Sequence, residues 1–587
     1  MLRRNLVLLK RLFFLNVLLS SVFIALFFMD WRPSEAITVV YGPLAILDQA
    51  FLLNLLAAIV ALPLIFLKDR LIALPFIVIQ LAILTDFSVF RIYRFHIDFF
   101  FVEMFFREFA GLGLSWLNLT FIILAIVVLA ALLFVVTYAF ATSKKTQHAG
   151  KYLLVIFVVS FIGQCIHAWG YAHNYREILR VSPLVPWYLP MTATLEVKAL
   201  GLFDAGIRER QLSLKLTTNG SFHYPKSPLS CAPETPPNII YVILESWRFD
   251  RMTPEITPNI YQIGQDSMTF TDHLSGGNVT TNGMFSLFFG MSSVFKQQTE
   301  ATGSLPNLVS SLDSLGYDFH ILANQDIIVN NLNTQLFGGK PTLQSAYGGS
   351  NGIGDAQLIS KLTRAIRPDS PYFAMVFFND SHFPYRTADD FRQPFQPAQE
   401  INFGSVSDTT DPTPFLNQYS NAIHYLDHLV GKLKTHLKET NQWDNTIVVI
   451  TGDHGEEFND NGSGYWGHGS KFDRFQLGVP LVVHWPGINK SINYRTAHED
   501  IASTLLVEGL SCNNSYADIG TGQSLFSDTP RAILAESYVN KAFIKEETVY
   551  EIMPGYVETY GLDGQLDVKT HDNILGSFTK IQTWFQD

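Results

Sequence analysis

The sequence predicts two joined regions, an α-helical membrane domain with five transmembrane helices and then an α/β domain built on a mostly parallel sheet. Hydrophobic residues make up 48% of the 587 residues, and near the N-terminus they form long stretches. Residues 1–173 contain 13 Lys and Arg against 8 Asp and Glu, a net charge of +5, so the remainder carries −16 given a total of −11. This acidic remainder has no basic cluster, which argues against nucleic-acid binding.

Five hydrophobic stretches are long enough for helices that cross a bilayer, which needs about 20 mostly apolar residues. The first is too long and too rich in Phe for a typical signal peptide, and no small-residue cleavage site follows it. We therefore expect it to remain as a helix. The stretches are Leu12–Phe28, Leu44–Leu67, Leu71–Phe90, Leu117–Phe140 and Tyr152–Tyr171.

Basic residues predict the orientation of these helices, because Lys and Arg are enriched in cytoplasmic loops. They cluster at 3–11, before the first stretch, and in the loops at 68–70 and 144–151. The N-terminus is thus expected in the cytoplasm and the α/β domain outside it. Arg91, Arg94 and Arg107, in the loop after the third stretch, break this pattern. The Phe clusters around them favour a segment in the outer interface, where both residue types are stable.

Residues 174–236 are predicted to form a connector between a membrane domain at 1–173 and an α/β domain at 237–587. Its first part contains prolines, aromatic residues and a predicted amphipathic helix up to about Leu202, and its last part is rich in Ser, Pro, Asn and Gly. The favoured interpretation is a stiff linker at the membrane surface. The alternative is a lipid-headgroup site, in which Arg176 and Arg180 face phosphates, and the two interpretations can coexist.

The α/β domain is predicted from short apolar runs that alternate with a longer helical pattern. Residues 419–437 have apolar side chains at helical spacing, whereas the shorter runs are rich in β-branched and aromatic residues. Sites in such sheets gather at the carboxyl ends of the strands, so the polar residues that follow these runs are candidates. The predicted strands are Ile239–Leu244, Phe319–Ala323, Tyr372–Phe378, Thr446–Thr451 and Leu481–Trp485.

Three of these runs end in side chains that bind divalent ions. Glu245 follows the first run, His382 lies just beyond the third, and Asp453-His454 follows the fourth with Gly on both sides. A carboxylate beside an imidazole suits Zn, Mn or a similar ion. Further along, His468 lies in a loop rich in Gly.

A candidate nucleophile is Thr280, which precedes an apolar helix in a Gly- and Asn-rich segment. Backbone N–H groups and the helix dipole favour an anion there, and a metal would lower the pKa of the hydroxyl. Thr280 alone has a simpler explanation as a helix N-cap, and Glu245 alone as a loop residue. The prediction rests on the order in which these residues occur.

The three Cys residues form no Cys-x-x-Cys motif. Cys165 lies in a hydrophobic stretch, and Cys231 and Cys512 lie in the soluble part. A disulfide between the last two is one open alternative if that part faces an oxidising compartment.

The motif order resembles the alkaline phosphatase/sulfatase superfamily, in particular its lipoteichoic acid synthases and phosphoethanolamine transferases. The resemblance implies a sulfatase-like fold that holds one divalent ion (Zn, Mn or Mg), and it implies a phosphatase or phosphotransferase with a Thr nucleophile. Thr281 is the fallback nucleophile. By this resemblance the ligands are Glu245, Thr280, Asp453 and His454, and the substrate-binding residues are His382, His468, Arg386 and Trp466.

Over its full length the chain resembles the YejM/PbgA family of bacterial inner-membrane proteins, with matches that include Asp86–Phe90 and Pro190–Ala193. The resemblance implies a periplasmic α/β domain, a role in lipopolysaccharide homeostasis, contact with phospholipid or lipopolysaccharide, and a LapB-like regulatory partner. Some branches of the family have lost the Asp-His motif, which this chain keeps. The basic pair that follows Pro-Met-Thr-Ala elsewhere is Thr194-Leu195 here, with only Lys198 nearby, which weakens the expected lipid A contact. Two functions follow as hypotheses, a metal-dependent phosphohydrolase or phosphotransferase and a non-catalytic lipid sensor.

Overall fold

The computed structural model describes residues 2–29, 31, 33, 35–99, 101–102, 116–143, 146, 148–173, 175–192, 222–323, 332–344, 353–401, 406–553, 556–565 and 584–585. The chain forms two compact units, one of Met1–Leu212 with Pro554–Tyr556 and the other of Ser213–Met553 with Val557–Asp587. Several expectations lie outside the described residues: the helix predicted up to Leu202, the Thr194-Leu195 pair with Lys198, Arg107, and the basic residues Lys144 and Lys145.

The first unit confirms the five predicted membrane helices, since five described helices are long and apolar enough to cross a bilayer. Many of their apolar side chains point outward, as expected for helices surrounded by lipid. They are α1 Leu2–Ala25, α2 Ala36–Ala61, α3 Leu74–Tyr93, α4 Trp116–Thr142 and α5 Ala149–Ala172, and a short α6, Arg176–Leu179, follows them. Most of these helices extend beyond the predicted stretches at one end or both, whereas α1 and α2 end earlier and α3 begins later, because 3₁₀ turns at Leu26–Phe28, Leu62–Phe66 and Asp69–Ala73 take up those residues.

A buried polar cluster joins α1, α2 and α3. Gln80 Nε2 donates to Ser20 Oγ at 2.8 Å and to Asn16 Oδ1 at 3.2 Å, and Asn54 Nδ2 donates to Ser20 Oγ at 2.8 Å. All four side chains are fully buried. Polar groups in hydrocarbon must be satisfied within the protein, so these contacts specify how the three helices pack.

The first part of the connector packs onto this helix bundle. Gln49, on α2, donates from Nε2 to the carbonyl oxygens of Pro186 at 2.6 Å and Trp187 at 3.1 Å. The Tyr188 hydroxyl donates to Asp48 Oδ2 at 3.2 Å. These partners lie on α2, so the segment is held by the helices and is more than a spacer between two regions.

A second set of contacts fixes the same segment. His96 bridges Asp86 Oδ2 at 2.6 Å and the Pro183 carbonyl oxygen at 3.0 Å through its two ring nitrogens. His167 Nδ1 lies 3.0 Å from the Met191 carbonyl oxygen. The polar residues that face this segment therefore come from α2, α3, α5 and the chain just after α3.

The second unit confirms the predicted α/β domain. Its first twelve strands are β1 Asn238–Leu244, β2 Met268–Phe270, β3 His273–Leu274, β4 Asp318–Ala323, β5 Thr342–Gln344, β6 Tyr372–Phe378, β7 Thr446–Gly452, β8 Glu457–Phe458, β9 Trp466–Gly467, β10 Leu481–His484, β11 Lys490–Ile492 and β12 Thr496–Ala497.

The main sheet has eight of these strands in the order β11-β2-β10-β7-β1-β6-β4-β5. Strands β7, β1, β6, β4 and β5 are parallel, and β10 is antiparallel to β7. Apolar clusters cover both faces of this sheet.

Helices of the second unit pack on the sheet, and the longest contains the predicted helical pattern at 419–437. They are α7 Pro258–Gln265, α8 Thr280–Phe289, α9 Lys296–Thr302, α10 Asn307–Ser314, α11 Leu332–Phe337, α12 Ile353–Ala365, α13 Thr413–Glu439, α14 Arg474–Leu477, α15 His498–Thr504 and α16 Tyr516–Ile519.

A smaller antiparallel sheet and a disulfide complete the second unit. The sheet consists of β13 Ile533–Glu536, β14 Lys541–Lys545, β15 Thr548–Met553 and β16 Tyr556–Gly561. Cys231 and Cys512, 281 residues apart, form a disulfide, which decides the alternative that the sequence left open. Cys165 is a free thiol on α5.

Candidate metal centre

Two neighbouring parallel strands bring the principal ligand candidates together. Leu244, the last residue of β1, pairs with Gly452, the last residue of β7. Glu245 and Asp453 therefore leave the same edge of the sheet side by side, and His454 follows directly. All three side chains are buried, and each offers a ligand atom within 4.8 Å of the other two.

The ligand atoms are spaced for one small ion. His454 Nε2 lies 3.4 Å from both Glu245 Oε1 and Asp453 Oδ2, and Thr280 Oγ1 lies 2.9 Å from Glu245 Oε1 and 3.4 Å from His454 Nε2. Tetrahedral ligands at about 2.1 Å from a zinc-sized ion are about 3.4 Å apart. The structure thus brings together all four residues predicted as ligands.

Hydrogen bonds around the cluster hold its ligand atoms in an arrangement that can bind an ion. His454 Nδ1 is 2.8 Å from the Gly455 carbonyl oxygen and donates to it, which leaves the lone pair of Nε2 facing the cluster. Asp453 Oδ1 accepts the backbone N–H groups of Ser246 and His454, each at 2.9 Å. Asp453 Oδ2 is buried and accepts no hydrogen bond from any described residue. Such an atom fits a cation, since a buried carboxylate oxygen without a partner is costly.

Thr280 reaches the cluster because α8 begins at that residue and packs closely on the Asp453 backbone. Gly283, one turn along α8, allows this approach: a Cβ there would lie 2.9 Å from the Asp453 carbonyl carbon and 3.0 Å from Ser275 Oγ. The Thr281 hydroxyl instead contacts Asn282 Oδ1 at 3.4 Å. The geometry therefore favours Thr280 over the fallback.

His468 lies beside the ligands and is held by a buried carboxylate. Its ring centroid is 4.3 Å from that of His454, and its Nδ1 is 2.7 Å from Glu456 Oε2. Tyr385 donates its hydroxyl to the other oxygen of Glu456 at 3.2 Å. Burial would raise the pKa of Glu456, but the charge and hydrogen bond of His468 outweigh it and hold that pKa at about 2.

His382 approaches the same site from the loop after β6. Its ring centroid is 5.6 Å from that of His468, and it is only partly buried. The preceding residue, Ser381, donates its hydroxyl to the Glu245 carbonyl oxygen at 2.6 Å. This loop is therefore joined to the backbone of a ligand.

The structure does not bring the other two predicted substrate-binding residues into this cluster. Trp466 is buried in the core, where it packs on Phe415 and Phe458 and donates its indole N–H to the Ser407 carbonyl oxygen. Arg386 is exposed, and its charge acts on Asp380.

The connector arginines lie in or next to the short helix α6. Arg176 is its first residue, and Arg180 follows its end and pairs with Glu177 at 2.8 Å. The side chain of Arg180 is one-third exposed. The lipid-binding role of both residues stays a prediction.

Sequence reasoning missed the support around the ligands. Glu456 and Tyr385 hold His468, and Ser246, with a left-handed backbone (φ 56°), donates its N–H to Asp453. Arg248 is almost fully buried and pairs with Asp250 and with Asp460. A Gly-Glu-Glu triplet directly after His454 was a signal for Glu456, but it did not tell which of the two Glu residues, both of them buried, contacts His468.

Two family models together match most of the chain. The model described as Sulfatase matches residues 237–507, and the model described as Domain of unknown function (DUF3413) matches residues 2–231. The first covers every residue of the candidate centre. The second covers the five membrane helices and residues 174–231 of the connector.

Curated relatives agree with both matches. The chain is 26% identical over 429 residues to inner membrane protein YejM of Salmonella typhimurium, which covers 72% of this chain and 68% of that protein. It is 24% identical over 321 residues to lipoteichoic acid synthase 1 of Bacillus subtilis, covering 49% of this chain and 48% of that protein.

Among solved structures, the lipooligosaccharide phosphoethanolamine transferase A of Neisseria meningitidis, an integral membrane protein, has a TM-score of 0.57 at 15% identity. The match covers 86% of this chain and 96% of the transferase. At this identity the likeness concerns the fold.

Proposed function

We propose that this chain, which resembles the YejM-type inner-membrane proteins of the alkaline phosphatase/sulfatase superfamily, is a metal-dependent phosphohydrolase or phosphotransferase that acts in lipopolysaccharide and outer-membrane lipid homeostasis. One observation carries the proposal. Thr280 Oγ1, a group able to attack phosphorus, lies within 3.4 Å of two members of a buried Glu-Asp-His cluster that fits a divalent ion. In this position the hydroxyl can serve both as a fourth ligand and as a nucleophile.

Each side chain has a proposed role. Glu245, Asp453 and His454 hold the ion, which when bound lowers the pKa of the Thr280 hydroxyl and stabilises negative charge on a phosphoryl group. Thr280 Oγ attacks phosphorus, the leaving oxygen departs, and a phosphothreonine forms. Water or an acceptor hydroxyl then attacks that phosphorus and frees Thr280.

Two imidazoles complete the proposed site. His468 is oriented through Nδ1 by Glu456, which leaves its Nε2 to accept a proton or a hydrogen bond from a substrate hydroxyl. His382, in the more exposed loop, binds a phosphoryl oxygen. Arg386, an exposed residue four positions after His382, is proposed to contact the headgroup of the substrate. Trp466, being buried, acts through the packing of β8 and β9.

The test separates metal binding from chemistry. Asp453→Asn keeps the size of the side chain but removes a charge, so the Mn²⁺ or Zn²⁺ content of the purified protein is expected to fall. Thr280→Ala keeps three ligands and should retain most of the ion, yet it should lower turnover of a generic phosphoester at least about 100-fold, because no side-chain oxygen can attack. Ser314→Ala, on the exposed face of α10, is a control that should behave as wild type. Wild type that holds no stoichiometric ion after metal is added back would refute the site.

The second unit is proposed to face the periplasm. The basic clusters at 3–11 and 68–70 favour a cytoplasmic location for these segments, and the five membrane helices found among the described residues support a second unit on the opposite side of the membrane. The Cys231–Cys512 disulfide supports an oxidising compartment. A periplasm-dependent reporter fused after Leu216 should be active, and activity of a cytoplasm-dependent reporter there would refute the orientation.

A second candidate function is a sensor of lipopolysaccharide or phospholipid, and the connector packed on the helix bundle favours it. A segment held by Gln49, Tyr188 and His96 can transmit a lipid-dependent change to the helices, and a LapB-like cytoplasmic regulator is the proposed receiver. If Thr280→Ala cells keep a normal outer-membrane barrier and wild type turns over no phosphoester, the sensor is the better description.

The lipid contact itself is proposed at Arg176 and Arg180. Replacing both with Gln should weaken binding of the purified protein to vesicles that contain anionic lipid, because two positive charges near phosphates are lost. Lys490→Gln, an exposed residue of the second unit, is the matched control. Unchanged binding of the double variant would leave this segment as a linker.

A further inference from the structure

Tyr385 is connected to both proposed substrate-binding imidazoles, although it takes no part in the proposed reaction. Its side chain is buried, with 1% of its surface exposed. Its hydroxyl donates to Glu456 Oε1 at 3.2 Å, and the other oxygen of that carboxylate lies 2.7 Å from His468 Nδ1. Its backbone N–H donates to the His382 carbonyl oxygen at 2.8 Å. A single residue therefore contacts the backbone at one imidazole and the carboxylate that holds the other.

The backbone of Tyr385 adopts a conformation that bulky residues rarely adopt. Its φ angle is 61°, in the left-handed region, where a residue with a large side chain is strained. Such residues persist where their surroundings fix them, and they are concentrated at functional sites. The angle sets the direction in which the ring leaves the turn that begins at His382, and the ring enters the core beside Glu456.

Neighbouring side chains hold Tyr385 in this position. Its ring centroid lies 5.4 Å from that of Tyr419 and 5.6 Å from that of Phe458. Gln418, on α13, donates from Nε2 to the Tyr385 carbonyl oxygen at 2.7 Å. Burial, and then the charge of Glu456, raise the pKa of the Tyr385 hydroxyl well above its usual value, so the hydroxyl stays a donor.

We propose that Tyr385 is a positioning residue that fixes His382 and His468 relative to each other, so that both imidazoles contact the same phosphoryl group. It does not touch the reacting atoms, but acts through Glu456 on one imidazole and through the backbone turn on the other. The two imidazole centroids are 5.6 Å apart, close enough for both side chains to contact one small group. This inference rests on the proposed function, because it concerns the same site.

Tyr385→Phe tests the role, because it removes the hydroxyl and keeps the ring. Glu456 Oε1 then loses this donor, and a buried carboxylate oxygen that has lost a donor is unfavourable, so we expect the carboxylate and His468 to shift. The kcat for a generic phosphoester should fall about tenfold, whereas affinity for Mn²⁺ should stay within about twofold of wild type because no ligand is changed. Wild-type kcat in this variant would overturn the proposal.

Tyr241→Phe is the matched control. Tyr241, on β1, is fully buried, and its hydroxyl has no hydrogen-bond partner among the described residues. Removal of this hydroxyl should leave kcat and Mn²⁺ affinity as in wild type.

A double-mutant cycle distinguishes positioning from a general structural role. Glu456→Gln keeps the shape of the side chain but removes its charge. If Tyr385 acts through Glu456, Tyr385→Phe should lower kcat by less than about twofold further in the Glu456→Gln background. Equal fold losses in the two backgrounds would overturn the proposal, since a solely structural effect would be independent of the charge at residue 456.

Gln418→Leu provides a second variant in case Tyr385→Phe does not fold, as judged by its Tm. It removes the donor to the Tyr385 carbonyl oxygen without changing the tyrosine, and it should lower kcat about threefold in the same direction. Wild-type kcat in a folded Gln418→Leu protein would then overturn the proposal.

Binding of inorganic phosphate separates this inference from the proposed function. In calorimetric titrations of the Mn²⁺-loaded full-length protein in detergent, phosphate should bind Tyr385→Phe about fivefold more weakly than wild type, and Tyr241→Phe as tightly as wild type. If wild type binds phosphate without turnover, the proposed function fails, and the phosphate affinities still decide the role of Tyr385. If wild type turns over and the kcat cycle shows equal losses, only the role of Tyr385 fails. Wild type that neither turns over phosphoester nor binds phosphate would overturn both.

Discussion

Gly283→Ala is expected to damage the metal centre although residue 283 has no side chain there. The added Cβ would lie 2.9 Å from the Asp453 carbonyl carbon and 3.0 Å from Ser275 Oγ. Carbon atoms in contact are normally about 3.5 to 4.0 Å apart, so α8 or the Asp453 loop must move by about 1 Å.

The size of the effect follows from this displacement. Overpacking of this kind costs about 1–3 kcal/mol of stability. A shift of about 1 Å in the nucleophile relative to the ion can lower kcat about 100-fold. Affinity for Mn²⁺ should also fall, since Asp453 and Thr280 lie on the two segments that are forced apart.

The assays are Mn²⁺ titration, phosphoester turnover and thermal unfolding of the purified full-length protein. Gly509→Ala is the matched control, because a Cβ there would meet its neighbours at 3.5 Å or more. If Gly283→Ala is folded, binds Mn²⁺ as wild type and keeps its kcat, the close approach of α8 does not fix the site.

Three further predictions concern stability. Burial lowers the pKa of His498 to about 4, so the folded state favours the neutral imidazole. The free energy of unfolding is therefore at its full value above about pH 6.5, and it falls by up to about 3 kcal/mol as the pH drops toward 4. His498→Gln should flatten this loss in unfolding curves, and an unchanged acid profile would contradict it. Reduction of the Cys231–Cys512 disulfide, which closes 281 residues, should lower stability by about 2–5 kcal/mol, and the double Ser variant should be insensitive to reductant. Gln80→Leu should destabilise the helix bundle by about 1–2 kcal/mol in detergent, whereas Val78→Leu, on the exposed face of α3, should have little effect.

The sequence pointed to the sheet and to the candidate ligands for the same reason. Buried parallel strands are short apolar runs, and ligands follow where these runs stop, so Glu245 and Asp453 were visible as ends of a pattern. Their proximity depends on β1 pairing with β7, two strands about 200 residues apart, which no local pattern contains. The joint order of the motifs supplied that information.

The supporting contacts could not be predicted because they depend on tertiary packing alone. Glu456 and Glu457 are both buried, and only the fold shows that Glu456 is the one that contacts His468 and Tyr385, which lie on other loops. Likewise, Gln49 reads as an ordinary polar residue within a membrane helix, and only the fold shows that it holds the connector. Trp466 is the opposite case. Its place next to a site motif in the sequence suggested a substrate-binding residue, but its side chain lies in the core.

The buried charges of the centre bear on both candidate functions. Among the described residues, the buried guanidinium groups of Arg248 and Arg531 pair with other carboxylates, Asp250 and Asp460 for the first and Glu499 and Asp500 for the second. In the described part of the chain Asp453 has no Lys or Arg partner, and an uncompensated buried carboxylate costs several kcal/mol. A bound divalent ion would remove that cost whether the protein catalyses or senses. Metal binding is thus common to both functions, and the hydroxyl of Thr280 is the group whose removal distinguishes them.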